Sequence, residues 1–510
     1  MRKLCLVMAL AAPLGVLAQK AANPVPFANT VTAEDLKKHL YIVASAEMEG
    51  RETATEGQRK AAAYIETHFR SLGLLPGFNG TYQQPYGVYQ DSLVSASIEV
   101  NGKKFQNFTD FAVSLNGAST SMFMTSEVVF VGYGISDSTR DDYKGIDARG
   151  KIVLVLAGTP PTTQQLPAGT RRGFAVLPVL DAALKNGAAA VFQVQPGFPR
   201  RAGATRGPQT VNGFRKTIYP NLYNISDAVA EAIMGTDYPG AKDAMKAGNP
   251  KAKSYAANVA VEFNKTTLQL QSTNVIGILE GSDKKDEYLF LTAHYDHIGK
   301  TAAGVINFGA DDDGSGTVSI LELAEAWTKA KAAGKGPRRT IVFMTVSGEE
   351  KGLWGSAFYG DHPVVPLDKT TADLNIDMIG RIDPTRKIGD STNYVYVVGD
   401  DKLSSDLRPI SESINKKYSK LELDYKFNDP NDKERIYYRS DHFNFARKGV
   451  PIIFYFNGTH ADYHRPTDTP DKINYELMAK RARFVFFTSW EMANRNDMLK
   501  RDISLDMPSR

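Results

Sequence analysis

The second half of the chain alternates short, nearly continuous apolar runs with helix-like segments, a pattern that few architectures accept. EYLFLTA (287–293), RTIVFMTV (339–346), TADLNID (371–377), YVYVVG (394–399) and VPIIFYF (450–456) read as strands, and TVSILELAEAWTKAKA (317–332) is the clearest helix among them. Strands that are apolar on both sides need both faces covered. The pattern therefore predicts an α/β fold, a mostly parallel mixed sheet sandwiched by helices. In such sheets active groups collect beyond the carboxyl ends of the strands. The polar residues of this chain fall there. His294 and Asp296 follow the first run, Glu349 and Glu350 follow the second, and Asp377 ends the third. The last run leads into NGTHADYHRPTDT with His460 and His464, while Asp311, Asp312 and Asp313 stand together in NFGADDDGSGT, ahead of the 317–332 helix.

So many carboxylates at one edge repel one another unless cations lie among them. Histidine with carboxylate ligands suits zinc. Two ions about 3.5–4 Å apart need a shared ligand, and a carboxylate can serve with one oxygen to each. One of the three consecutive aspartates, in its glycine-flanked turn, fits that position; its neighbours then face turn hydrogen bonds or solvent. His297 and His460 flank the motifs and read as supporting or surface residues rather than ligands. Asp468 reads as a cap for the helix after Pro470 or as a brace for the loop bearing His464.

Taken in order, HxD, GADDDGSG, the Glu-Glu pair, NID and YHRPTDT resemble the zinc-dependent metallopeptidases that include secreted bacterial aminopeptidases and glutamate carboxypeptidase, over roughly residues 30–500. The stretch GYGISDSTRDDYKGIDARGKIVLV resembles the protease-associated domain that many members carry. The resemblance implies a β-rich insertion at 120–262 within a discontinuous catalytic domain of 30–119 and 263–505. It also implies two Zn²⁺ ions, one bound by His294 and Asp377, the other by Glu350 and His464, with Asp312 shared. Glu349 would be the general base, Asp296 would orient His294, and Tyr463 would steady the tetrahedral intermediate. The implied activity is hydrolysis of peptide substrates, as an aminopeptidase first and a carboxypeptidase or dipeptidase second. A one-zinc glutaminyl cyclase fits poorly with the insertion, and a non-catalytic binding relative fits poorly with a complete ligand set.

The N-terminus has its own reading. MRKLCLVMALAAPLGVLAQK has a basic start, an apolar run from Leu4 to Leu17 and small residues before Gln19. This predicts a signal peptide over 1–18 and export to the periplasm or the medium, without stable membrane insertion afterwards. The single cysteine, Cys5, lies inside it, so the exported chain would have neither disulfide nor thiolate ligand. A net charge of +4 over 510 residues gives no reason to expect nucleic acid as a partner. Oligomeric state has no signature in the sequence.

Overall fold

A computed structural model describes residues 22–160, 176–198, 204–213 and 217–505. The expected signal segment, 1–18, lies outside the described residues. Two compact units are present, one built from the chain up to Tyr86 and from Ser272 onward, the other from Gly87–Gln271.

The first unit holds the five strands foreseen above and two more. The foreseen strands are β2 (Lys284–His294), β3 (Arg339–Val346), β4 (Thr370–Ile376), β5 (Tyr394–Val398) and β7 (Ile452–Phe456), and the end of β1 (Lys253–Leu279) and β6 (Glu422–Asp424) join them. Their order across the sheet is β6-β5-β7-β4-β2-β3-β1. The central neighbours β7, β4, β2 and β3 run parallel, as do β5 and β6, while the β5–β7 and β3–β1 pairs are antiparallel. Helices α1 (Ala33–Val43), α2 (Glu56–Ser71), α3 (Gly316–Ala332), α4 (Trp354–Asp361), α5 (His442–Ala446) and α6 (Tyr475–Asn494) accompany the sheet. The chain enters α1 at Thr32, whose hydroxyl accepts the Asp35 N–H at 3.1 Å and so satisfies a donor that the first helical turn leaves free.

Successive side chains of a strand point to opposite faces, and here that alternation sorts the residues. Leu289, Leu291 and Ala293 of β2 pack with α1, α2, α3 and α6, whereas Phe290 joins Val342, Met344, Tyr359 and Phe445 on the α4–α5 face. His294 therefore leaves the sheet on the Phe290 face. Asp377 shares that face, since Ala372, Leu374 and Ile376 take the other. The second unit has its own parallel centre, with strands Ser121–Phe130, Ile152–Leu156, Ala190–Val194 and Asn221–Ile225 in that order.

The helical layer of the first unit is locked by Trp327, which is fully buried, stacks on Trp490 at 4.9 Å and donates its indole N–H to Ser489 Oγ at 3.1 Å. Trp327→Ala should cost about 3–5 kcal/mol, the usual range for emptying a large aromatic site. Urea unfolding monitored by circular dichroism checks this; an unchanged midpoint would contradict the packing role.

Candidate metal centre

Four loops, each following a strand of the parallel centre, bring the expected residues together; the one after β2 runs on into α3 and carries the three aspartates. Asp312 is at the middle. Its Oδ1 lies 3.3 Å from His294 Nε2, while its Oδ2 lies 3.0 Å from His464 Nε2 and 3.8 Å from His297 Nδ1. On the Oδ1 side, His294 Nε2 also stands 3.6 Å from Asp377 Oδ1 and 3.9 Å from Glu349 Oε2. On the Oδ2 side, Glu350 approaches His464 Nε2 at 3.0 Å and His297 Nδ1 at 2.7 Å. Donor atoms of His294, Asp313 and Asp377 lie within 4.8 Å of one another, as do those of His297, Asp312 and Glu350.

The neighbours of Asp312 are occupied elsewhere. Asp313 accepts from the backbone N–H groups of Gly316 at 2.8 Å, Met378 at 3.0 Å and His294 at 3.3 Å. Asp311 accepts from the Gly380 N–H at 2.7 Å and meets His460 Nε2 at 3.2 Å. Both therefore fasten the loop that follows β4 to the aspartate turn. Asp468, buried, closes the turn from the other direction by accepting the N–H groups of Asp311 and Asp312 at 3.0 and 3.2 Å. It braces the Asp312 turn from the His464 loop.

Asp296 sits behind His294. Its backbone carbonyl meets His294 Nδ1 at 3.1 Å, with its carboxylate at 3.7 Å. That carboxylate accepts from the Thr53 hydroxyl at 2.7 Å and the Glu349 N–H at 3.3 Å. With Nδ1–H directed at an oxygen, Nε2 of His294 is the nitrogen that faces Asp312, and a bound cation would take the place of its proton. Tyr463 stacks on His464 with ring centroids 3.9 Å apart, and its hydroxyl accepts from Arg439 Nη2 at 3.0 Å. His464 adopts φ +57 and Met378, beside Asp377, φ +60, a left-handed backbone that non-glycine residues seldom take. Such departures concentrate at functional sites.

Burial and mutual charge set the electrostatics. Burial pulls the His464 imidazole down, but hydrogen bonds to Asp312 and Glu350 outweigh it and raise its pKa to about 10. Asp312 is pushed up by burial and pulled well below the carboxylate range by His294 and His464. Burial drives Glu349 well above its ordinary value; His294 opposes this, while Glu350 and Asp377 add to it. Close as these groups are, His294 Nε2, His297 Nδ1, Asp312 Oδ2 and Glu350 Oε1 are buried without a well-aligned hydrogen bond. Imidazole nitrogens and carboxylate oxygens aimed at common points fit a divalent cation, and zinc in particular.

His297 was expected behind the site or at the surface. It is fully buried, directly beside Glu350. The three-residue spacing in HYDH was its only trace in the sequence. Arg51 and Thr53, from a polar stretch with no visible periodicity, also lie beneath the loops and were missed.

Residues 274–488, from the end of β1 into α6, match the model of peptidase family M28. Leucine aminopeptidase 1 of Coccidioides posadasii (strain C735) is 28% identical over 247 residues, 47% of this chain and 61% of that protein. A probable glutamate carboxypeptidase of Arabidopsis thaliana is 36% identical over 105 residues, 20% of this chain and 14% of that protein. The chain thus spans at most 61% of these two relatives. Among solved structures, an aminopeptidase from Aneurinibacillus sp. strain AM-1 superposes with a TM-score of 0.54 at 19% identity, covering 96% of this chain and all of that one. The α/β fold expected from the strand pattern is the fold found.

A cation entering this cluster at neutral pH has to displace the proton that the metal-free protein keeps on His464. Zinc affinity should therefore rise as pH rises toward about 10, with proton release on binding near pH 7. Titration calorimetry in buffers of different ionisation enthalpy measures the released protons. Affinity independent of pH would contradict the arrangement.

Proposed function

We propose that the chain, whose residues 274–488 match the model of peptidase family M28, is a zinc-dependent metallopeptidase that holds two Zn²⁺ ions and releases N-terminal residues from peptides. The observation that carries the proposal is the pair of Asp312 oxygens, one facing His294 and the other His464. His294 and Asp377 would hold one ion, Glu350 and His464 the other, and Asp312 both. When bound, zinc lowers the pKa of water toward neutrality and polarises a carbonyl.

The remaining work falls to side chains. Glu349 is the proton carrier: it takes a proton from the attacking water and passes it to the leaving amine. Burial raises its affinity for a proton, which suits a group that must accept one from water. Asp296 keeps His294 in the required tautomer. Tyr463, held by Arg439, is placed to donate its hydroxyl to the oxyanion. Asp312, Glu349, Asp377 and Tyr463 line one small pocket, whose other wall is apolar, with Met378, Ile436, Phe454 and Phe456. That wall suits an apolar side chain next to the scissile bond.

Arg439 also lines the pocket, which favours a second reading as a carboxypeptidase or dipeptidase binding a terminal carboxylate. Export through residues 1–18 and assignment of 120–262 as a protease-associated domain belong to the same proposal. Among the described residues no helix is long and apolar enough to cross a membrane.

Glu349→Gln should retain two zincs per chain and lose at least about 10²-fold in kcat; near-normal turnover would remove Glu349 from its role. A panel of N-blocked and C-blocked peptides separates the two readings. Cleavage abolished by N-blocking and spared by C-blocking supports the aminopeptidase, and the reverse pattern supports the carboxypeptidase.

A further inference from the structure

Arg51 is fully buried in a chain segment far from every metal-ligand motif. A buried guanidinium ordinarily pairs with a carboxylate, because an unpaired charge is costly to desolvate. This one spends its donors on backbone carbonyls instead. Nε donates to Tyr295 O at 2.7 Å, Nη1 to Val43 O at 2.9 Å and Phe308 O at 2.8 Å, and Nη2 to Gly309 O at 2.8 Å.

The identity of those carbonyls matters. Tyr295 lies between His294 and Asp296, and Phe308 and Gly309 lead directly into Ala310 and the three aspartates. One planar group therefore ties the loop carrying His294 to the turn carrying Asp312. The surrounding backbone is fitted to the same loop. The Gly299 N–H donates to Gly50 O at 3.0 Å, and the His297 N–H to Arg51 O at 3.3 Å. Gly50 has φ +72, and a Cβ there would stand 2.5 Å from Asn307 O and 2.7 Å from Gly299 O, so only glycine permits the approach. The charge also has a counterpart. Asp296, Asp312, Asp313 and Asp468 are close enough to favour the protonated guanidinium, although burial, the larger effect, pulls its pKa down.

We propose that Arg51 is a positioning residue of the metal centre: its guanidinium fixes the His294 loop and the Asp312 turn at the separation that lets both bind the same ion. This inference rests on the zinc reading above. A fork of several donors in one plane is needed, which lysine lacks while keeping the charge. Arg51→Lys keeps the positive charge and its repulsion toward a cation, so a loss of affinity in that variant isolates the geometry.

Zinc affinity of the full chain, measured by competition with a chromogenic chelator, provides the test, with Arg51→Lys, Arg51→Gln and Trp327→Ala beside the unaltered protein. Arg51→Lys should bind zinc about 10–100-fold more weakly, the range found when groups orienting metal ligands are removed. Trp327→Ala should bind it normally despite lower stability, which separates positioning from general loosening. If Arg51→Gln fails to fold, Arg51→Lys still decides. Normal zinc affinity in Arg51→Lys, or an equal loss in Trp327→Ala, overturns the inference. An unaltered protein that binds no zinc overturns the zinc reading itself.

Discussion

Carboxylates gathered at one sheet edge repel one another, and the first unit is arranged around containing that repulsion. Asp312 occupies the worst position, inside the cluster with 4% of its side chain exposed. It stays ionised because imidazoles face both of its oxygens. Asp311 and Asp313 accept backbone N–H groups, which turns part of the repulsion into stitching between the aspartate turn and the loop after β4. Asp468 adds a further anion at the turn and is held there by two backbone donors. A chain that bound no cation would have little reason to keep this many acids in so small a volume.

A polar seam runs through the scaffold beneath. Thr292 of β2 donates toward Asp373 and Asn375 of β4 at 2.7 and 2.9 Å, and Asn375 donates to Ser440 Oγ at 2.9 Å. Burial raises Asp373 to about 8, with Thr292 opposing, and raises Asp441 to about 7. These residues share the sheet face of His294 and Asp377, so the polar row runs under the site rather than through the core. The period-2 alternation that buries Leu289 and Leu291 also decides which side of the sheet carries the chemistry.

Much of this was legible in the residues. The strands of the first unit lie close to where their apolar runs placed them, because strands buried on both faces advertise themselves. His294, Asp312, Glu350, Asp377 and His464 converge, as motifs just past strands should. The supporting groups were harder to read. Arg51 and Thr53 act through backbone carbonyls and a single carboxylate across more than 240 residues, and no local pattern encodes such a contact. His297 looked incidental because it flanks the HxD motif without matching a ligand position. The structure buries it beside Glu350, which arrives from β3.

Whether two cations share Asp312 can be seen directly. Anomalous diffraction at the zinc edge, from crystals of the zinc-loaded protein, should give two peaks, one against each oxygen of Asp312, flanked by His294 with Asp377 and by His464 with Glu350. A lone peak, or an Asp312 carboxylate turned away from the metal, would contradict a shared centre.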